Sequence, residues 1–230
     1  RDQPRSRGLG DVYKRQMQTI AELAKKYDAY VVTDEVYEHI VYAPNKHIYM
    51  QSLEGMRERT IVCNSLSKTY SITGWRLGYV IANPQIIDRV KKVHDFLTVG
   101  AAAPLMEAAV VGLEFGDGYY DELAAHYAHM KEVFVGGLKK LGLKYTDPQG
   151  AYYVLVDVSE FGVKDDVKFC EWMAQFVGVA AVPGSSFFRE DVYNLVRFHF
   201  AKQDDTLNEA IKRLATLKEK AMNAKNVDWR

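Results

Sequence analysis

The stretch NSLSKTYSITGWRLG, from Asn64 to Gly78, places a lysine among small hydroxyl residues and an arginine eight residues later. Lys68 follows the apolar run TIVC, so its amine can lie against a ligand and partly out of water, as a lysine that forms a Schiff base requires. Arg76 can bind a phosphate in a bidentate way, and the Ser65 hydroxyl can add a neutral hydrogen bond. A solvated surface lysine and an ordinary surface ion pair are the alternative interpretations.

A carboxylate and a phenol follow an earlier apolar run, in VVTDEVY. Asp34 can hold a cation or a protonated ring nitrogen, and Tyr37 can direct its hydroxyl at the same ligand. Phosphate-hydrolysing P-loop proteins also carry a carboxylate after such a run, but the G-x-x-x-x-G-K-[ST] loop that they need is absent here. A solvated strand end is the alternative for Asp34.

A second arginine, Arg197, lies inside the apolar run LVRFHFA. A buried arginine without a partner is costly, so a carboxylate ligand or an internal salt bridge is expected, and the residues alone do not choose between them. Tyr70, Tyr152, Tyr153 and Phe187 are candidates to line a substrate pocket, and core packing is the equal alternative.

Short apolar strands alternate with amphipathic helices along the chain, which predicts an α/β sheet followed by a smaller α+β part. The first helix is expected to place Ile20, Leu23, Ala24 and Tyr27 on one face. Helices are predicted near 84–97, 102–114, 119–141 and 205–222. Gly142 is expected to end the third, and Thr206 with Glu209 to form a capping box at the last.

We predict three segments: a non-native or disordered extension over 1–16, a large domain over 17–122 and a small domain over 123–230. The helix near 119–141 links the two domains. The 30 basic and 30 acidic residues balance, so no bulk charge favours nucleic acid or a membrane surface. The two cysteines are too few for a disulfide framework and suggest a reducing, cytoplasmic setting.

Taken in order, DEVY, SLSK, GWRLG and VRFHFA resemble the class I/II aminotransferases of the fold-type I pyridoxal-phosphate enzymes. The resemblance covers 17–222 and is closest in type to the kynurenine, glutamine and methionine aminotransferases. It implies the C-terminal part of a mostly parallel large-domain sheet plus a small domain.

The resemblance also implies a role for each candidate residue. Lys68 would bond covalently to pyridoxal 5′-phosphate and move the substrate Cα proton. Asp34 would pair with the ring nitrogen, Tyr37 with the ring 3′-oxygen, and Ser65 and Arg76 with the phosphate. Arg197 would hold the substrate α-carboxylate. No metal is expected, and the partners are an amino acid, aromatic or sulfur-containing among the candidates, and a 2-oxo acid.

The family's N-terminal half has no counterpart before Met17, so we expect a truncated chain that is inactive alone and a full-length homodimer. Missing strands would leave sheet edges and apolar surface exposed. Two other functions stay open: a pyridoxal-phosphate-dependent β-lyase or decarboxylase on the same fold, and the non-catalytic effector domain of a transcription regulator.

Overall fold

This computed structural model describes residues 9–225 and 227–230 of the chain. The described residues form two compact units, one ending at Leu123 and the other beginning at Ala124. The expected extension over 1–16 lies partly outside the described residues, and its described part, from Leu9, is helical. Whether those sixteen residues are native, and whether the two units are independent domains, stay predictions.

Within the described residues, the first unit contains a three-stranded sheet with the order β1-β2-β3. β1 runs parallel to β2, and β3 runs antiparallel to it. The strands are β1 Val31–Asp34, β2 Thr60–Ser65 and β3 Gly78–Ile81. The helices are α1 Leu9–Lys26, α2 Leu66–Thr69, α3 Pro84–Leu97 and α4 Ala103–Leu113. The predicted α/β class is confirmed, although only one of these two strand pairs is parallel.

The predicted helix α1 is present, but most of its predicted apolar face is exposed. Ile20, Leu23 and Tyr27 are 43%, 48% and 67% exposed. From that face only Ala24 is buried, and it lies with Ala21, Met50 and Met56 in one cluster. The apolar period locates amphipathic faces, but partners elsewhere in the chain decide which face is covered.

One face of the sheet in the first unit also carries exposed apolar side chains. Val32 is 65% exposed and Val80 is 39% exposed. The pairings Val32 with Ile61 and Val80 with Cys63 put them on the same face. Exposed apolar area of this kind marks a surface that another segment or molecule covers.

The described residues of the second unit contain a four-stranded sheet of order β4-β5-β7-β6, in which every pair is antiparallel. The strands are β4 Lys144–Tyr145, β5 Tyr153–Asp157, β6 Val182–Pro183 and β7 Leu195–His199. The helices are α5 Asp117–Lys140, which begins in the first unit, α6 Asp166–Trp172, α7 Asp204–Leu214 and α8 Leu217–Asn223. Phe134 of α5 packs on Phe198 at a centroid distance of 5.8 Å, so one face of the sheet is buried.

The end of α5 confirms one prediction and the start of α7 contradicts another. Gly142 has φ +66°, and the Leu143 N–H donates to the Leu138 carbonyl as in a Schellman motif. The capping box is wrong, because α7 begins at Asp204 and no side chain caps it. The single final helix is also wrong, since α7 ends at Leu214 and α8 begins at Leu217.

Candidate active site

Four of the six predicted site residues lie at one edge of the sheet in the first unit. Asp34 is the last residue of β1 and Ser65 is the last residue of β2. These two strands are parallel, so both end at the same edge. Gly78, the first residue of β3, pairs with Ser65, which brings Arg76 to this edge as well. Lys68 follows directly in α2. Ligands of open α/β sheets bind outside such strand ends.

The short helix α2 holds Lys68 in a well-satisfied turn. The Ser65 hydroxyl oxygen accepts the Ser67 N–H at 3.1 Å and so caps the helix. Thr73 and Tyr119 donate their hydroxyls to the carbonyls of Ser67 and Thr69 at 3.2 and 2.7 Å. Lys68 is half-buried between the buried Ser67 and Thr69. The lysine is therefore presented by fixed backbone and is not a freely solvated surface residue.

The Ser65 hydroxyl also has neighbours within the turn. It lies 3.0 Å from the Leu77 carbonyl and 2.7 Å from the Ser67 hydroxyl, and it can donate its proton to either. A hydroxyl proton rotates to suit its best acceptor, so the same group can turn to a phosphate oxygen.

Arg76 has an unusual backbone conformation. Its φ and ψ are +58° and +42°, in the left-handed region that a residue with a Cβ rarely adopts. The guanidinium donates from Nη1 to the Thr73 carbonyl at 3.0 Å, and the residue is otherwise exposed. Strained backbone of this kind is concentrated at binding sites, where it directs a side chain.

Asp34 and Tyr37 occupy the turn that follows β1. The Asp34 carboxylate accepts the Val36 N–H at 3.3 Å and is otherwise directed to solvent. Tyr37 is half-buried, and its carbonyl accepts the Ile40 N–H at 2.9 Å. The Asp34 side chain and the Tyr37 backbone are thus held at the strand end by local hydrogen bonds.

Sequence reasoning missed Glu38, which connects this turn to β2. Glu38 Oε1 accepts from Asn64 Nδ2 at 2.6 Å and from the Tyr79 hydroxyl at 3.4 Å. Asn64 in turn accepts the Ser65 N–H at 2.7 Å. Glu38 therefore ties the Asp34 turn to the residue that precedes the Lys68 turn. Its position four residues after Asp34, in DEVYE, was the only local signal.

The Glu38 charge also perturbs neighbouring groups. Burial first, and then the Glu38 carboxylate, raises the pKa of Tyr79 to about 12. The same two causes raise the pKa of Tyr49. His39 stacks on Tyr120 at 4.3 Å, and burial lowers its pKa despite the Glu38 charge. The phenols of Tyr79 and Tyr49 therefore stay protonated at neutral pH and act as hydrogen-bond donors.

The sixth predicted residue, Arg197, lies in the second unit, in the middle of β7. Leu155 and Val182 flank it on the neighbouring strands. Its Nε is buried, and no hydrogen-bond acceptor lies near it among the residues that the structure describes. No ion pair to Arg197 is found within that part of the chain either, so the internal salt bridge is not the observed solution.

A cavity of about 360 Å³ opens beside this arginine, and Tyr152, Tyr153 and His199 contribute to its lining. Burial, followed by the charges of Lys202 and Arg197, lowers the pKa of His199. The pocket therefore presents one cation among aromatic side chains. Of the four predicted pocket residues, Tyr152 and Tyr153 line this cavity, and Phe187 contacts the guanidinium. Tyr70 instead packs on Tyr119 in the first unit.

Among the described residues, no cluster of three or more His, Cys, Asp or Glu side chains is arranged to hold a metal ion. Within the same ranges, no helix has the length and apolarity that crossing a membrane demands.

The sequence of this chain matches a known protein family. The model of the family described as aminotransferase class I and II matches residues 9–214. The methionine aminotransferase of Escherichia coli K12 is 35% identical over 192 residues, which cover 83% of this chain and 50% of that protein. Kynurenine–oxoglutarate transaminase 3 of Bos taurus is 35% identical over 224 residues, covering 88% and 49%.

Solved structures agree with the sequence comparison. The N-succinyldiaminopimelate aminotransferase of Mycobacterium tuberculosis superposes with a TM-score of 0.84 at 35% identity, covering 89% of this chain and 54% of that one. The chain thus spans about half the length of the curated relatives it matches.

Proposed function

Because this chain belongs to the class I and II aminotransferases, we propose that the protein transfers an amino group between an L-amino acid and a 2-oxo acid, with pyridoxal 5′-phosphate as its cofactor. The observation that carries the proposal is the gathering of Asp34, Ser65, Lys68 and Arg76 at one sheet edge. Together these four residues match three parts of that cofactor: the ring nitrogen, the aldehyde and the phosphate.

The donor set fits the cofactor chemically. A guanidinium and a hydroxyl suit a phosphate, and an amine suits an aldehyde. A carboxylate suits a protonated ring nitrogen, and a phenol suits the adjacent ring oxygen. The exposed Arg76 guanidinium uses Nη1 on the Thr73 carbonyl and has further donors for phosphate oxygens.

Each residue of the site would have a separate role in this reaction. The cofactor, when bound, supplies the electron sink for a carbanion at the substrate Cα. Lys68 Nζ would hold the cofactor aldehyde and would take the proton from the substrate Cα. Asp34 would keep the ring nitrogen protonated, and Tyr37 would donate its hydroxyl to the ring oxygen. Arg76 and Ser65 would hold the phosphate and so keep the aldehyde within reach of Lys68.

Arg197 takes the substrate α-carboxylate in this proposal. Its buried Nε has no acceptor within the described residues, and a carboxylate satisfies a guanidinium in a bidentate way. The aromatic lining of the cavity and the methionine and kynurenine enzymes among the relatives favour a sulfur-containing or aromatic amino acid as the donor.

We also propose that the protein works as a cytoplasmic homodimer that is longer than this chain. The thiols of Cys63 and Cys170 are both free, which suits a reducing compartment. Phe96, Leu97 and Val99 are 91%, 77% and 80% exposed, and a subunit interface would remove this apolar area from water. Light scattering of the natural protein at low concentration tests the dimer, and a monomer would refute it.

Product analysis tests the reaction. The natural protein, loaded with pyridoxal 5′-phosphate, is given L-methionine, L-phenylalanine, L-kynurenine or L-aspartate with 2-oxoglutarate. We expect equal amounts of the 2-oxo acid of the donor and of glutamate. A separate reaction supplies an S-substituted L-cysteine without 2-oxoglutarate, and release of the thiol, ammonia and pyruvate would contradict transamination and indicate a β-lyase.

A further inference from the structure

Two aromatic rings enclose the guanidinium of Arg197. Its Cζ lies 3.7 Å from the centroid of the Phe187 ring and 4.2 Å from the centroid of the Tyr153 ring. A planar cation is attracted to ring faces, and the attraction grows when water is excluded. Ring contacts on the guanidinium leave its in-plane N–H donors for a ligand, which is the geometry that a bidentate carboxylate needs.

The two rings reach Arg197 from different segments of the second unit. Tyr153 lies on β5 two residues before Leu155, which pairs with Arg197. Phe187 ends a tight turn over Gly184–Phe187. That turn lies directly on β7, because a Cβ at Gly184 would stand 2.3 Å from the Leu195 carbonyl oxygen. Only glycine permits this approach, and the approach brings the turn to the strand that carries Arg197.

A buried carboxylate fixes the turn from the other side. Asp166, at the start of α6, is 1% exposed. Its Oδ2 accepts the Ser185 N–H at 2.7 Å and its Oδ1 accepts the Ser185 hydroxyl at 2.8 Å. Bonds to a buried carboxylate are strong and directional, so Ser185 has one position and Phe187, two residues on, is confined with it.

We propose that Tyr153 and Phe187 are positioning residues for Arg197, and that Asp166 holds Phe187 in place through Ser185. The inference rests on the proposed function, in which Arg197 binds the substrate α-carboxylate. The rings hold the guanidinium plane before substrate arrives, so less side-chain freedom is lost on binding. Removing one ring therefore weakens carboxylate binding and leaves the cofactor at the sheet edge of the first unit unaffected.

The kinetic test compares two neighbouring phenylalanines of similar exposure. Phe187 is 46% exposed and Phe188 is 39% exposed, and no ring contact of Phe188 with Arg197 is found among the described residues. In the natural protein loaded with pyridoxal 5′-phosphate, Phe187→Leu should raise KM for the donor amino acid about two- to twelvefold, because the guanidinium then loses more side-chain freedom on binding. The affinity for the cofactor should not change. Phe188→Leu should behave like the unmodified protein, and Phe187→Tyr should restore most of the loss.

A separate variant tests the contact between Asp166 and Ser185. Ser185→Ala removes the hydroxyl bond to Asp166 and keeps the N–H bond, so the turn loses one of its two ties. We expect KM for the donor to rise in the same direction as in Phe187→Leu, by a smaller factor. A Ser185→Ala protein with unchanged KM would remove the hydroxyl bond between Ser185 and Asp166 from the proposal.

A spectroscopic readout is independent of activity. In protein with ¹⁵N-labelled arginine, the Arg197 Hε resonance is identified by its loss in Arg197→Lys. Ring currents displace this resonance, so Phe187→Leu should move it toward the position of a solvated arginine and Phe188→Leu should not. Equal spectra of the two leucine variants would overturn the positioning role.

The kinetics of these variants distinguish carboxylate binding by Arg197 from the positioning of Arg197 by Phe187. If Arg197→Lys leaves KM for the donor unchanged, the proposed carboxylate role fails and the ring contacts are structural only. If Arg197→Lys raises KM while Phe187→Leu and Phe188→Leu give the same kinetics, the carboxylate role stands and the positioning role fails.

Discussion

Arg76 allows stability and cofactor binding to be separated at one residue. Its left-handed backbone costs a residue with a Cβ about 1–2 kcal/mol. Glycine avoids that strain but loses about 0.5–1 kcal/mol more in chain entropy on folding. We therefore expect Arg76→Gly to be about 0.5–1 kcal/mol more stable than Arg76→Ala in urea unfolding of the protein without cofactor. Both variants lose the guanidinium and its bond to the Thr73 carbonyl, so the comparison isolates the backbone.

Cofactor binding should respond in the opposite sense. A charge-assisted hydrogen bond contributes about 1.5–3 kcal/mol, so both Arg76 variants should bind pyridoxal 5′-phosphate about ten- to a hundredfold more weakly. Ser71 is the matched control, because its φ of +56° is also left-handed and it is exposed in the same loop. Ser71→Gly should gain stability over Ser71→Ala and keep its cofactor affinity, measured by fluorescence titration. An Arg76→Gly protein with unweakened affinity would refute the phosphate role.

Three further predictions concern stability and protonation. Trp229 is 1% exposed and packs on Phe169 with ring centroids 5.1 Å apart, so Trp229→Ala should lower the free energy of unfolding by about 3–5 kcal/mol in urea titration; a loss under 1 kcal/mol would contradict this packing. Glu38→Gln removes the charge but leaves the burial, so it should lower the pKa of Tyr79 from about 12 part of the way toward 10. ¹³C-tyrosine NMR measures this pKa, and an unchanged value would exclude Glu38 as a cause. Asp204 raises the pKa of His129 above 6.5. This pair therefore stabilises the fold fully below pH 6.5, and its contribution disappears as the pH rises through the raised pKa. Asp204→Asn should return the pKa of His129, measured by NMR, toward 6.5, and an unchanged pKa would refute the pairing.

The sheet-edge part of the site was predictable because it depends on local order along the chain. Parallel strands must end at a common edge, so Asp34 and Ser65 could be placed together from the apolar runs that precede them. The family resemblance carried by these motifs was confirmed by the match to the aminotransferase model over 9–214. The roles of the individual residues stay predictions.

Contacts between distant segments were not predictable. The partners of Glu38 come from Asn64 and Tyr79, on two different strands. The stacking of Phe187 on Arg197 depends on a turn fixed by Asp166, which no local pattern connects to it. The capping box was also wrong: the motif Thr206-x-x-Glu209 is present, but α7 begins at Asp204, two residues before Thr206, and Gln203 precedes it without a side-chain cap.

The covalent attachment of the cofactor to Lys68 is the central claim, and one measurement tests it most directly. The natural protein is incubated with pyridoxal 5′-phosphate, reduced with borohydride, digested and analysed by mass spectrometry. The account predicts the pyridoxyl group on Lys68, and a Lys68→Ala protein that loses the visible absorbance of the lysine-bound cofactor. Modification of another lysine, or a Lys68→Ala protein that keeps that absorbance, would contradict it.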